Sequence, residues 1–127
     1  MACRVLVVDD EATVRDLFSH VLTEAGCEVR TASDAMDALA TLASEPADVV
    51  VSDLLMPGLR GEILVEQLQA RFPETRIVVV SGWVGPQARA VLSERGVDAV
   101  LQKPLLTMEP LIEAVRSQAA TTRAMAS

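Results

Sequence analysis

Four short apolar runs, Val5–Val8, Val49–Val51, Ile77–Val80 and Ala99–Leu101, each stop at a polar residue, and stretches with helical periodicity lie between them. Strands buried on both faces have this composition, because a parallel sheet is covered by helices above and below. A weaker run, Glu28–Ala32, completes a set of five. The helical stretches carry apolar residues at three- and four-residue intervals: Val14, Leu17, Phe18, Val21 and Leu22, then Ala35, Ala38, Leu39 and Leu42, then Ile63, Leu64, Gln67 and Leu68. Half of the residues are apolar but only 2% are aromatic, so Val, Leu, Ala and Ile must build the core.

The punctuation agrees with that alternation. Gly26 and Gly96 follow helical runs as C-terminal caps, Ser33 precedes one as an N-cap, and Pro73 and Pro86 mark boundaries. Thr107 is placed to cap a last helix with Pro110 in its first turn, running to about Gln118 and leaving a frayed tail from Ala119 to Ser127. Five βα units with right-handed crossovers give an α/β fold, a five-stranded parallel sheet in the flavodoxin-like order 2-1-3-4-5 with helices on both faces. A length of 127 residues suits one domain, 1–127, with its core in about 3–118.

A net charge of −7 argues against nucleic-acid binding, which needs clustered Lys and Arg. No apolar run is long enough to span a bilayer, so no membrane contact is expected and the cytoplasm is the default location. Cys3, Cys27 and His20 lack metal-ligand spacing and read as isolated side chains, with no oxidising compartment implied.

The residues just past each strand are the informative ones: Asp9, Asp10 and Glu11 after the first, Asp53 after the third, Ser81 and Gly82 after the fourth, Lys103 and Pro104 after the fifth. In a sheet of this topology they converge on one rim, where ligands bind. Carboxylates crowded there repel one another unless a cation joins them, and oxygen-only ligands favour Mg²⁺ over zinc. Lys103 and Ser81 add a point charge and a hydroxyl suited to an anion, and the Gly82 amide can approach it closely. Such a site suits phosphoryl transfer onto a carboxylate.

Together the acidic pair, Asp53 in Ser52-Asp53-Leu54-Leu55-Met56-Pro57-Gly58, Ser81 after a buried strand and Lys103-Pro104 resemble the response regulator receiver family of two-component signalling, over residues 3 to 118. The resemblance implies that Asp53 accepts a phosphoryl group. It also implies that Asp9, Asp10 and Asp53 hold Mg²⁺ with the Leu55 carbonyl, Asp10 being the direct ligand of the acidic pair. Lys103 would pair with the phosphoryl oxygens, Ser81 would move toward them on activation, and Lys103-Pro104 would be cis. Trp83 and Leu55 would flank the approach of hydrolytic water. The sequence departs from the family at Val100, where an aromatic is frequent, and at Leu105, where Phe is usual.

The implied function is a switch that takes its phosphoryl group from a sensor histidine kinase or a phosphotransfer protein, catalyses its own phosphorylation and loses the group slowly. The chain could stand alone or serve a hybrid histidine kinase, and could pair with a second copy on phosphorylation; the sequence names no downstream effector. The rival reading is a Mg²⁺-dependent phosphohydrolase with an aspartate nucleophile. Such enzymes carry a second Asp two residues after the nucleophile, where this chain has Leu55.

Overall fold

The computed structural model describes residues 3–53, 61–82, 86–94, 96–103 and 105–126. In chain order they form β1 (Arg4–Val8), α1 (Ala12–Glu24), β2 (Glu28–Ala32), α2 (Ala35–Ser44), β3 (Val49–Ser52), α3 (Gly61–Arg71), β4 (Arg76–Ser81), α4 (Pro86–Glu94), β5 (Ala99–Gln102) and α5 (Glu109–Ala126). The strands make one parallel sheet in the order β2-β1-β3-β4-β5, the expected topology.

Strand alternation divides the core in two. Leu6, Val8, Val50, Ile77 and Val79 face α2, α3 and α4, which contribute Leu39, Leu42, Leu64, Leu68 and Leu92. Val5, Val7, Val49, Val51, Val78 and Val80 face α1 and α5, which contribute Phe18, Leu22, Leu111 and Val115. Because successive side chains point to opposite faces, a run such as Val49–Val51 must be apolar throughout to fill both layers. The weaker strand β2 lies at an edge, and its Glu28, Arg30 and Thr31 are exposed. Two ion pairs lie along it, Arg4–Glu28 at 3.7 Å and Arg30–Glu45.

Turn chemistry follows the glycines. Gly26 and Gly96 have φ of +99° and +88°, and the next residues, Cys27 and Val97, donate back to the Leu22 and Leu92 carbonyls at 3.0 Å. Only glycine takes up such left-handed positions without strain.

Elsewhere the elements depart from the sequence reading. The α2 cap is Asp34, not Ser33: the Asp34 carboxylate accepts from the Asp37 N–H at 2.8 Å, and the Asp37 carboxylate accepts from the Ser33 N–H at 3.3 Å. A charged acceptor suits the positive end of the helix dipole better than a hydroxyl. Met108, not Thr107, precedes α5, and its carbonyl accepts the Ile112 N–H. That helix does not stop at Gln118 but continues to Ala126 through an Ala-rich segment without Gly or Pro, and Ala119 is buried in the core. In α3, Val65 is buried while Gln67 is exposed.

In α1 the buried stripe is narrower than the periodicity suggests. Phe18 and Leu22 are buried, Val14 packs at its margin, Val21 is half-buried, and Leu17 is 47% exposed. Leu22→Ala should therefore cost about 2–5 kcal/mol in urea unfolding, as a void opens under a fully buried side chain. Leu17→Ala should stay within about 0.5 kcal/mol. Equal costs would show that α1 is rotated from this placement.

Candidate functional site

Four strand ends meet at the carboxyl edge of the sheet because the ladder sets them level. Val8 pairs with Ser52, Ser52 with Val79, and Ser81 with Gln102. The backbone bonding continues one residue past the strands: the Asp9 N–H donates to Ala32, the Asp53 N–H to Val8 and the Lys103 N–H to Ser81, at 3.2, 3.2 and 2.8 Å. Each functional side chain therefore leaves a backbone position that is held on the sheet.

Asp9 and Asp53 are buried, and the Lys103 ammonium bridges them, with Nζ 2.7 Å from Asp9 Oδ2 and 2.8 Å from Asp53 Oδ2. Burial alone would favour the neutral amine. Hydrogen bonds to Asp53 and Asp9, together with their negative charges, outweigh it and hold Lys103 above the ordinary lysine value of 10.5. The second Asp9 oxygen accepts the Glu11 N–H at 3.0 Å, which tethers the carboxylate to the start of α1. Asp10 is exposed beside this pair, and one oxygen from each of Asp9, Asp10 and Asp53 lies within 4.8 Å of the others.

This donor set fits a hard divalent cation. It offers three carboxylates and neither imidazole nor thiolate, and Mg²⁺ takes oxygen ligands with one or two carboxylates sufficing. Ser81 faces the same edge, fully buried, and its Oγ has no hydrogen-bond partner among the described residues. A buried hydroxyl at this edge with donor capacity unused by the described residues is placed to serve a polar ligand.

The fold thus brings together Asp9, Asp10, Asp53, Ser81 and Lys103. Leu55, Trp83 and Pro104 lie outside the described residues, and with them the expected carbonyl ligand, the flanking side chains and the cis bond. Gly82 is exposed, and a Cβ there would meet nothing within 4 Å, so the close approach of its amide that the sequence suggests has no steric counterpart. Sequence reasoning missed Arg15, whose guanidinium donates to the Asp9 carbonyl at 2.7 Å and pins the loop that carries the acidic pair.

Replacing Lys103 by Gln leaves two buried carboxylates facing each other without a cation, which should cost about 3 kcal/mol at neutral pH. Since the lysine titrates higher in the folded chain than the ordinary 10.5, its stabilisation is complete below that value and is lost as pH rises through the higher folded one. Urea unfolding across alkaline pH should show the gap between wild type and Lys103→Gln constant up to about pH 10.5 and narrowing above it. A gap independent of pH throughout would remove the charge from the explanation.

Comparison with known proteins identifies the fold and the family. A solved receiver domain protein of Methanospirillum hungatei, described as CheY-like, superposes with a TM-score of 0.91 over 98% of this chain and 99% of its own, at 24% identity, which establishes the fold. The response regulator protein TrrA of Thermotoga maritima, solved in complex with Mg²⁺-BeF, superposes with a TM-score of 0.82 at 29% identity, covering 91% of this chain and 98% of its own. A protein-glutamate methylesterase/protein-glutamine glutaminase of Anaeromyxobacter dehalogenans is 37% identical over 89% of this chain and 33% of its own length. The chain spans between about a fifth and a half of the length of the curated relatives it matches. Residues 5–116 match the response regulator receiver domain, and the chain belongs to that family of two-component signalling proteins.

Proposed function

We propose that this chain is a phosphorylation switch in which Asp53 accepts a phosphoryl group from the phosphohistidine of a sensor histidine kinase or a phosphotransfer protein. The observation that carries this reading is the buried Asp53 carboxylate held 2.8 Å from the Lys103 ammonium at the carboxyl edge of the sheet. In the reaction a carboxylate oxygen of Asp53 bonds to phosphorus while the bond from phosphorus to the imidazole nitrogen breaks, its electron pair leaving with the donor.

Asp9, Asp10 and Asp53 would hold Mg²⁺, with the Leu55 carbonyl as a further ligand. The ion supplies charge neutralisation for the transferring oxygens. Lys103 contributes to the same neutralisation, because it already lies against the acceptor and follows the negative charge onto the phosphoryl group. The Ser81 hydroxyl, which has no hydrogen-bond partner among the described residues, donates to a phosphoryl oxygen and so couples the acceptor to the end of β4. The receiver surface then shifts between two conformations that a downstream partner distinguishes. No described helix is long and apolar enough to cross a membrane, and we place the switch in the cytoplasm.

Incubation with acetyl phosphate and Mg²⁺ should add one base-labile phosphoryl mass, which Asp53→Asn should abolish and a chelator prevent. Label retained in Asp53→Asn would move the acceptor elsewhere.

The phosphoryl group should also be long-lived. Leu55 and Trp83 stand two residues after Asp53 and Ser81, and neither side chain can accept a proton from water. Decay followed after donor removal should take hours, and Leu55→Glu or Trp83→Ala should shorten it while Mg²⁺ affinity stays the same. Decay within seconds, equal in all three proteins, would show that these side chains do not control the water.

A further inference from the structure

At the end of β1 and β2 opposite the acidic site, the fold joins two residues that the sequence keeps apart. The parallel register pairs Arg4 with Glu28, and the Glu28 N–H donates to the Cys3 carbonyl at 2.7 Å, so one step back Cys3 stands beside Cys27. Both are buried thiols, and both point into the layer that holds Val5, Val7, Phe18 and Leu22.

Neighbouring strands lie about 4.8 Å apart, inside the roughly 4.4–6.8 Å between α-carbons that a disulfide spans. The sulfurs must draw slightly closer than a regular ladder holds them. Cys3 and Cys27 each stand one residue before the first residue of their strand.

A cleft of about 680 Å³ opens at this edge, lined by Cys27 together with Arg4, Glu28, Arg30, Thr41 and Glu45. Both thiols are nearly closed off from solvent, and Cys27 is the one of the two that lines the cleft.

We propose that Cys3 and Cys27 are a redox modification site that closes to a reversible disulfide under hydroperoxide. The Cys27 sulfur attacks the peroxide, whose O–O bond breaks, giving a sulfenic acid and water from hydrogen peroxide. The Cys3 sulfur then displaces the sulfenic oxygen as a second water. Two thiols lose two electrons and the peroxide gains them. The clasp fixes the amino end of the strand whose other end carries Asp9 and Asp10, and it is independent of phosphoryl chemistry.

The full chain treated with hydrogen peroxide in native buffer, then alkylated in denaturant and weighed, tests this. Wild type should lose both alkylatable thiols together while remaining monomeric, yield a Cys3–Cys27 linked peptide pair on digestion, and recover both with dithiothreitol. Cys3→Ser should accumulate a sulfenic acid at Cys27 that dimedone traps, and Cys27→Ser should keep its Cys3 thiol. Thiols that stay alkylatable, linkage only between chains, closure only in denaturant, or no dimedone adduct in Cys3→Ser would each overturn the proposal.

Discussion

Two carboxylates buried within a few ångströms of each other cannot both stay charged without a cation, and Lys103 supplies one from the far side of the sheet. The loops after β1, β3 and β5 are thereby tied together through one ammonium. This contact depends on the parallel register, since a one-residue slip of any strand would turn its terminal side chain to the other face. The apolar runs of β1, β3 and β4 are buried on both faces and anchor these strand ends within the sheet. The apolar interior and the charged rim are thus one construction.

Much of this was legible in the sequence because its signals are local. A strand buried on both faces must be apolar, and the residue that ends such a run stands at the sheet edge whatever the rest of the chain does. Asp9 and Ser81 directly follow their apolar runs, and Asp53 and Lys103 stand one residue further on, so all four fall at one rim. The same locality explains the misses. Leu17 satisfies helical periodicity but lies past the margin of the surface that α1 covers, and only the neighbouring elements set that margin. The Ala-rich end of α5 has little periodicity to read, yet Ala119 reaches the core.

Contacts between distant segments were harder still. Cys3 and Cys27 read as isolated because α1 separates them, and only the β1–β2 register makes them neighbours. Even over six residues a contact can be hidden, for only the turn before α1 brings the Asp9 carbonyl within reach of Arg15. In both cases the residue type carried no distinguishing pattern, and the information lay in how the backbone folds.

Any open sheet offers a free hydrogen-bonding edge to a neighbouring chain, and here both edges carry charge. Along β2, Glu28 and Arg30 are engaged by Arg4 and Glu45, so an incoming strand would have to displace two ion pairs from exposed side chains. On β5, the Arg89 guanidinium donates to the Val100 carbonyl at 3.1 Å and occupies one of the acceptors an added strand would need. Growth of the sheet from one molecule into the next is therefore disfavoured at both margins. Resistance to fibrous aggregation follows, and the helical faces are left as the surfaces through which the chain can meet other proteins.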